Sequence, residues 1–171
     1  PEIPLEFRTK IAYLSLVIGH LRAVAGRTGD ELQYRSRPEG GARVAKQLSK
    51  TGISLALLLK KPAVDKEVYH YIQQIANNTI QGFPFEVAQK LFATKPKEFQ
   101  VGKTKYRVRG LTTNQMVHSL QLPKTTTVRI LTDLQTLGVV KRLKVPSETG
   151  FDSDLWYLTS YFRNLWIGAG L

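Results

Sequence analysis

The chain has 171 residues, a net charge of +12 and 42% hydrophobic residues, enough to bury the core of one domain or of two small ones. It contains no cysteine, which excludes a disulfide framework and a thiolate metal site and fits a reducing interior. No apolar run approaches the roughly 18 to 20 residues of a membrane span, and Pro1-Glu2-Ile3 carries neither an initiator Met nor a signal peptide's regions. The expectation is a domain excised from a longer polypeptide, without a membrane partner and located in the cytoplasm or on the nucleoid.

From the N-terminus, Phe7, Ile11, Leu14, Ile18 and Leu21 recur at helical spacing between Leu5 and Val24, predicting an amphipathic helix that Gly26 to Asp30 ends. The polar stretch from Glu31 turns into a second helix around Pro38, with Val44, Leu48, Ile53, Leu55 and Leu58 apolar. Val64-Asp65 looks like the start of a third, in which Val68, Ile72, Ile75 and Ile80 face inward, and Phe85 to Phe92 makes a short fourth. Residues 1–94 therefore read as a helical bundle, lid-like or dimerising, with no convincing strand.

Residues 95–110 read as a basic strand or linker. Val101, Tyr106 and Val108 alternate with Lys105, Arg107 and Arg109, a pattern that predicts an apolar inner and a cationic outer face. Gly102-Lys103-Thr104 superficially suggests a phosphate loop. That motif needs a glycine five positions earlier, where this chain has Lys97, and a helix afterwards, where it has a strand-like run. The tripeptide reads better as a hairpin turn presenting Lys103, Lys105, Arg107 and Arg109 to a polyanion.

Residues 111–160 carry the most informative pattern. Thr112 or Thr113 can cap a short helix containing Met116, Val117 and Leu120, which Gln121-Leu122-Pro123 breaks. A second helix follows, with Val128, Leu131, Leu134 and Leu137 as one buried stripe and Gly138 placed to end it in the left-handed conformation. Val139-Val140 then opens a strand, and Leu155 to Leu158 looks like its return. Two helices, a tight turn and a hairpin predict a winged helix-turn-helix. The fold class expected is thus mainly α, a helical bundle followed by a winged helix with a small β-hairpin. Residues 161–171 form an aromatic segment in which Tyr161, Phe162, Leu165 and Trp166 pack on the core or on a partner.

Charge points to the ligand. Between Lys95 and Lys144 stand eleven Lys and Arg against two acids, whereas the first 94 residues have thirteen against eight and the last 27 one against three. Cations concentrated on a helix-turn-helix suit duplex DNA. The expected contacts are Lys124, Thr125, Thr126, Thr127 and Arg129 on the second helix. Lys103, Lys105, Arg107, Arg109, Lys141, Arg142 and Lys144 would lie along the backbone. Glu148, Asp152 and Asp154 at the hairpin tip would repel phosphate, which weakens a direct grip by that tip.

No constellation for catalysis or metal binding emerges. His20, His70 and His118 fall in three different helices without a partnering motif, and the carboxylates are few and scattered. This fragment is expected to be no enzyme and to hold no cofactor.

Three stretches together, "RSRPEGGARVAKQL", "VDKEVYHYIQQIANNTI" and "LTTNQMVHSLQLPKTTTVRILTDLQTLGVV", resemble the C-terminal helical lid plus winged-helix region of AAA-type ATPases of the MCM-like or helicase- and primase-associated kind. The resemblance implies a DNA-binding part of a larger replication or recombination ATPase, with ATP bound in the parent chain and the missing ATPase domain, or a second copy, as partner. It also implies that Arg37 or Arg43, at the start of a lid helix, senses nucleotide. Two other readings stay open: a dimeric winged-helix transcription regulator, and a protein-interaction module without DNA binding.

Overall fold

The computed structural model describes residues 1–23, 26–28, 31–34, 40–80, 82–101, 103–146 and 152–171, with the backbone alone for 26–28, 31–34 and 101. The chain is mainly helical with a small antiparallel sheet, and it divides into two compact units. The first comprises Pro1–Ala23, Arg37–Gln81 and Asn164–Leu171; the second comprises Val24–Ser36 and Gly82–Arg163. This division departs from the expected boundaries at 94, 110 and 160.

The first unit holds α1 (Leu5–Leu21), α2 (Gly41–Leu58) and α3 (Lys66–Asn78). The predicted α1 stripe is buried throughout, joined by Val17. Each such side chain contributes roughly 1.5–3 kcal/mol relative to exposure. Helix α2 packs through a smaller-grained face than expected, Val44, Leu48, Gly52 and Ala56, while Leu58 stays 79% exposed. The reason lies in the close approach of α2 and α3: a Cβ on Gly52 would stand 2.8 Å from Ile72 Cδ1, leaving no room for a larger residue. On α3 the inward residues are Val68, Tyr69, Ile72 and Ala76, and the expected Ile75 is exposed.

Local chemistry fixes the start of α3. Asp65 accepts a hydrogen bond from the Val68 amide at 3.0 Å as N-cap. Lys61 reaches Asp65 Oδ2 at 2.5 Å and also bonds Glu67. The Lys61 hydrogen bond holds the Asp65 carboxyl below its ordinary range, and the two carboxylates raise Lys61. At the end of the chain, the Ala169 carbonyl accepts from Tyr69 Oη at 2.7 Å and from Gln73 Nε2 at 3.1 Å.

The second unit contains an antiparallel pair, β1 (Gly26–Thr28) and β2 (Glu31–Tyr34), where no strand was expected. Each strand is only three or four residues long, too short to establish a period of two. Then follow α4 (Pro84–Ala93), β3 (Lys97–Val101), β4 (Thr104–Val108), β5 (Gly110–Thr112), α5 (Thr113–Leu120), α6 (Lys124–Thr136), β6 (Val140–Val145) and β7 (Ser153–Leu158). Helix α7 (Ser160–Gly168) contributes its first residues to this unit and the remainder to the first. Strands β5, β7 and β6 form one antiparallel sheet in that order. The core combines Val87 and Leu91 of α4, Met116 of α5, Leu131 and Leu134 of α6, and Leu155 and Trp156 of β7.

Helix α5 starts with a capping box: Thr112 Oγ1 accepts from the Gln115 amide, and Gln115 Oε1 accepts from the Thr112 amide at 2.9 Å. It ends at Gln121, whose φ of 54° is left-handed. Gly138 has φ +74°, the conformation expected of it. In the aromatic segment Phe162, Leu165 and Trp166 are buried, while Tyr161 is exposed.

Candidate nucleic-acid interface

Helix α6 buries Thr127, Leu131 and Leu134, at positions i, i+4 and i+7. Thr127 replaces Val128 in the expected stripe. Its hydroxyl donates to the Pro123 carbonyl at 3.1 Å, so a polar residue sits in the core with its hydrogen bond satisfied. The correction is twofold: Thr127 is 0% exposed and cannot touch DNA, and Val128 is 36% exposed on the outer face. That face therefore presents Lys124, Thr125, Val128 and Arg129, with Thr126 half-buried at its edge. An outward valine was missed because apolar residues were assigned inward. The available signal was threonine's ability to bond its own i−4 carbonyl.

Within 95–110, Lys97–Val101 and Thr104–Val108 form two strands, and Gly102 of the expected turn lies outside the described residues. Gln100 pairs with Lys105, Phe99 with Tyr106 and Glu98 with Arg107 across the β3–β4 ladder. Directly opposed residues share a face, so Glu98, Gln100, Lys105 and Arg107 stand on one side and Lys97, Phe99, Tyr106 and Val108 on the other. The expected apolar inner face is corrected: Tyr106 is exposed, and Phe99 and Val108 are only half-buried. Lys103, Lys105, Arg107 and Arg109 are exposed, and among the described residues no carboxylate comes within ion-pairing distance of them.

The β6–β7 hairpin differs. Lys144 Nζ lies 2.9 Å from Asp154 Oδ1, its directly opposed residue, and Arg142 Nη1 lies 3.7 Å from Asp154 Oδ2. Arg142 also sits 5.8 Å from the centre of the Trp156 ring. One carboxylate thus partly neutralises both Arg142 and Lys144, two of the residues expected to contact the DNA backbone. Lys141 points to the other face of the sheet, exposed and opposite Tyr157. Asp154 therefore acts within the hairpin, Asp152 is exposed, and Glu148 lies outside the described residues.

Arg163 was not anticipated. It is the single cation of the last 27 residues, and helical spacing puts it off the buried Phe162, Leu165 and Trp166. Its guanidinium stands 5.2 Å from the centre of the Phe92 ring. Burial, followed by the nearby Arg109 charge, lowers its pKa. The two arginines border a pocket of about 540 Å³ together with Arg107, Tyr106, Tyr157 and Pro96.

No protein-family model, curated protein or solved structure matches the chain.

Of the remaining candidates, Arg43 lies exposed in the first turn of α2, and Arg37 falls outside the described residues. His20 Nδ1 is 2.7 Å from the Leu16 carbonyl within its own helix, and His70 Nε2 is 3.0 Å from Gln74 Nε2. Among the described residues no group of three or more His, Asp or Glu is placed to hold a metal, and no helix is long and apolar enough to cross a membrane.

Proposed function

We propose that the second unit is a winged-helix module that binds duplex DNA. Helix α6 enters the major groove, and the β3–β4 hairpin runs along the phosphate backbone. The observation that carries this reading is the order α4, β5, α5, α6, β6, β7, with the β3–β4 pair inserted between α4 and β5 and with β7 between β5 and β6 in the sheet. In that arrangement α5 and α6 are the helix-turn-helix, and strands β6 and β7 are the arms of the wing. Exposed Lys124, Thr125, Val128 and Arg129 lie on the N-terminal half of α6. Recognition helices offer that end to base edges, where Lys and Arg reach phosphate or guanine and a valine methyl can meet the thymine methyl.

The wider role we propose is the DNA-engaging C-terminal part of a replication or recombination ATPase, as the resemblance of the three sequence stretches implies. ATP would be bound by the parent polypeptide.

The test is fluorescence anisotropy with a labelled random-sequence duplex at several salt concentrations. The wild type is expected to give a log–log salt slope of several units, and Lys124→Ala/Arg129→Ala to reduce it by about one to two. No binding at low salt, or a variant that binds as the wild type does, rejects the groove assignment.

A further inference from the structure

The pocket beside Arg163 has a chemistry that duplex binding by α6 does not use. Its lining holds Arg107, Arg109 and Arg163 with no carboxylate, and no residue of α6 borders it. Its volume of about 540 Å³ falls inside the range of roughly 300–1,000 Å³ usual for small-molecule sites. Arg163 is held against Phe92 and partly removed from water, with the like charge of Arg109 near it. Guanidinium groups do not deprotonate to relieve such crowding. An anion between them does relieve it, and a phosphate matches their forked donors in two-point fashion.

Charge is half of the match. Tyr106 of β4 and Tyr157 of β7 border the same pocket, and Pro96 adds a flat apolar surface. Lys141, opposite Tyr157 in the ladder, adds a further cation on that face. Tyrosine faces beside arginines are the elements that hold an unstacked base next to its phosphate. Bases inside a duplex have both faces covered by their neighbours, so a duplex cannot use the tyrosines.

We infer that this pocket binds a nucleoside phosphate, with the phosphate between Arg109 and Arg163 and the base against Tyr106 or Tyr157. The nucleoside phosphate is either a free nucleotide or one unit of a single strand. The inference stands apart from groove reading by α6, and its test separates the two.

Thymidine monophosphate, an eight-residue oligothymidylate and inorganic phosphate are each titrated calorimetrically into the intact 171-residue protein. The same titrations are made on Arg109→Gln, Arg163→Gln and Lys124→Ala/Arg129→Ala. At least one thymidine ligand binds, more tightly than inorganic phosphate. Either arginine variant weakens it about tenfold or more, the loss expected for a charged hydrogen-bonding partner. The α6 variant leaves it unchanged. Arg109 is exposed, so its replacement keeps the test valid should Arg163→Gln disturb the packing on Phe92. Binding of the mononucleotide identifies a free-nucleotide site, and binding of the oligonucleotide alone a single-strand site. Binding of neither, wild-type affinity in Arg109→Gln, or inorganic phosphate as tight as the thymidine ligands overturns the inference.

Discussion

Two hairpins of the second unit, β3–β4 and β6–β7, contain similar cations and dispose of them in opposite ways. In β6–β7, Asp154 lies across from Lys144 and within reach of Arg142, and Trp156 of the same hairpin donates through Nε1 to Thr113 Oγ1 at 2.9 Å. Charge and aromatic ring are both engaged inside the unit. In β3–β4, Glu98 stands opposite Arg107 without forming an ion pair, and Lys105 and Arg107 project from a hairpin with neither face fully covered. A count of cations along the chain treats the hairpins alike. The field outside the protein does not, because an ion pair presents a short-range dipole where a lone guanidinium presents a charge felt across a Debye length of about 10 Å at 0.1 M salt.

The largest effect expected from this contrast is on binding. Lys105→Glu/Arg107→Glu should weaken duplex binding roughly a hundredfold and lower the salt slope by about two or more. Arg142→Ala/Lys144→Ala, which also removes two cations, should cost only a few-fold. Equal losses in anisotropy titrations of the two variants would remove the distinction between the hairpins. The next effect is on stability and runs the other way. Trp156→Phe strips the buried partner of Thr113 and leaves part of the indole site empty. A loss of about 1–2 kcal/mol follows, a fall in Tm of several degrees. Phe99→Ala in β3–β4 removes a half-buried ring and should shift Tm by much less. Thermal melts that give the reverse order would mean that β3–β4 is the structural hairpin.

Much of this architecture was legible in the sequence where local chemistry decides the outcome. The Thr112 cap, the glycine at 138 and the Asp65 start of α3 each follow from residue types with narrow conformational preferences. So did the α1 stripe, five apolar residues in register over a long helix. The errors fall where tertiary packing chooses among acceptable local options. Gly52 and Ala56 form the inner face of α2 because Ile72 comes close, and nothing in α2 alone announces Ile72. Thr127 displaced Val128 from the core because its hydroxyl found a carbonyl one turn back. The same limit applies to the candidate site. Exposed cations on α6 and β4 could be read from periodicity, but the pairing of Arg142 and Lys144 with Asp154 depends on the β6–β7 register. The meeting of Arg163 with Arg109 and Tyr157 depends on where α7 begins relative to the sheet.

The smallest predicted effect is the most specific to the comparison, because its sign is opposite to that of most substitutions near a binding surface. Asp154→Asn keeps the shape of the side chain and removes its charge. Lys144 and Arg142 are about half exposed and form the kind of ion pair that contributes at most about 1 kcal/mol, so the fold should tolerate the change. Released from the carboxylate, the two cations become available to phosphate, and β6–β7 acquires the character of β3–β4. Duplex binding should tighten by a few-fold at low salt and the salt slope should rise by about one. The gain should disappear in Asp154→Asn/Arg142→Ala/Lys144→Ala, since no other route to it is present. An unchanged slope in Asp154→Asn would mean that the hairpin does not face the duplex at all. The backbone contacts would then belong to β3–β4 and α6 alone.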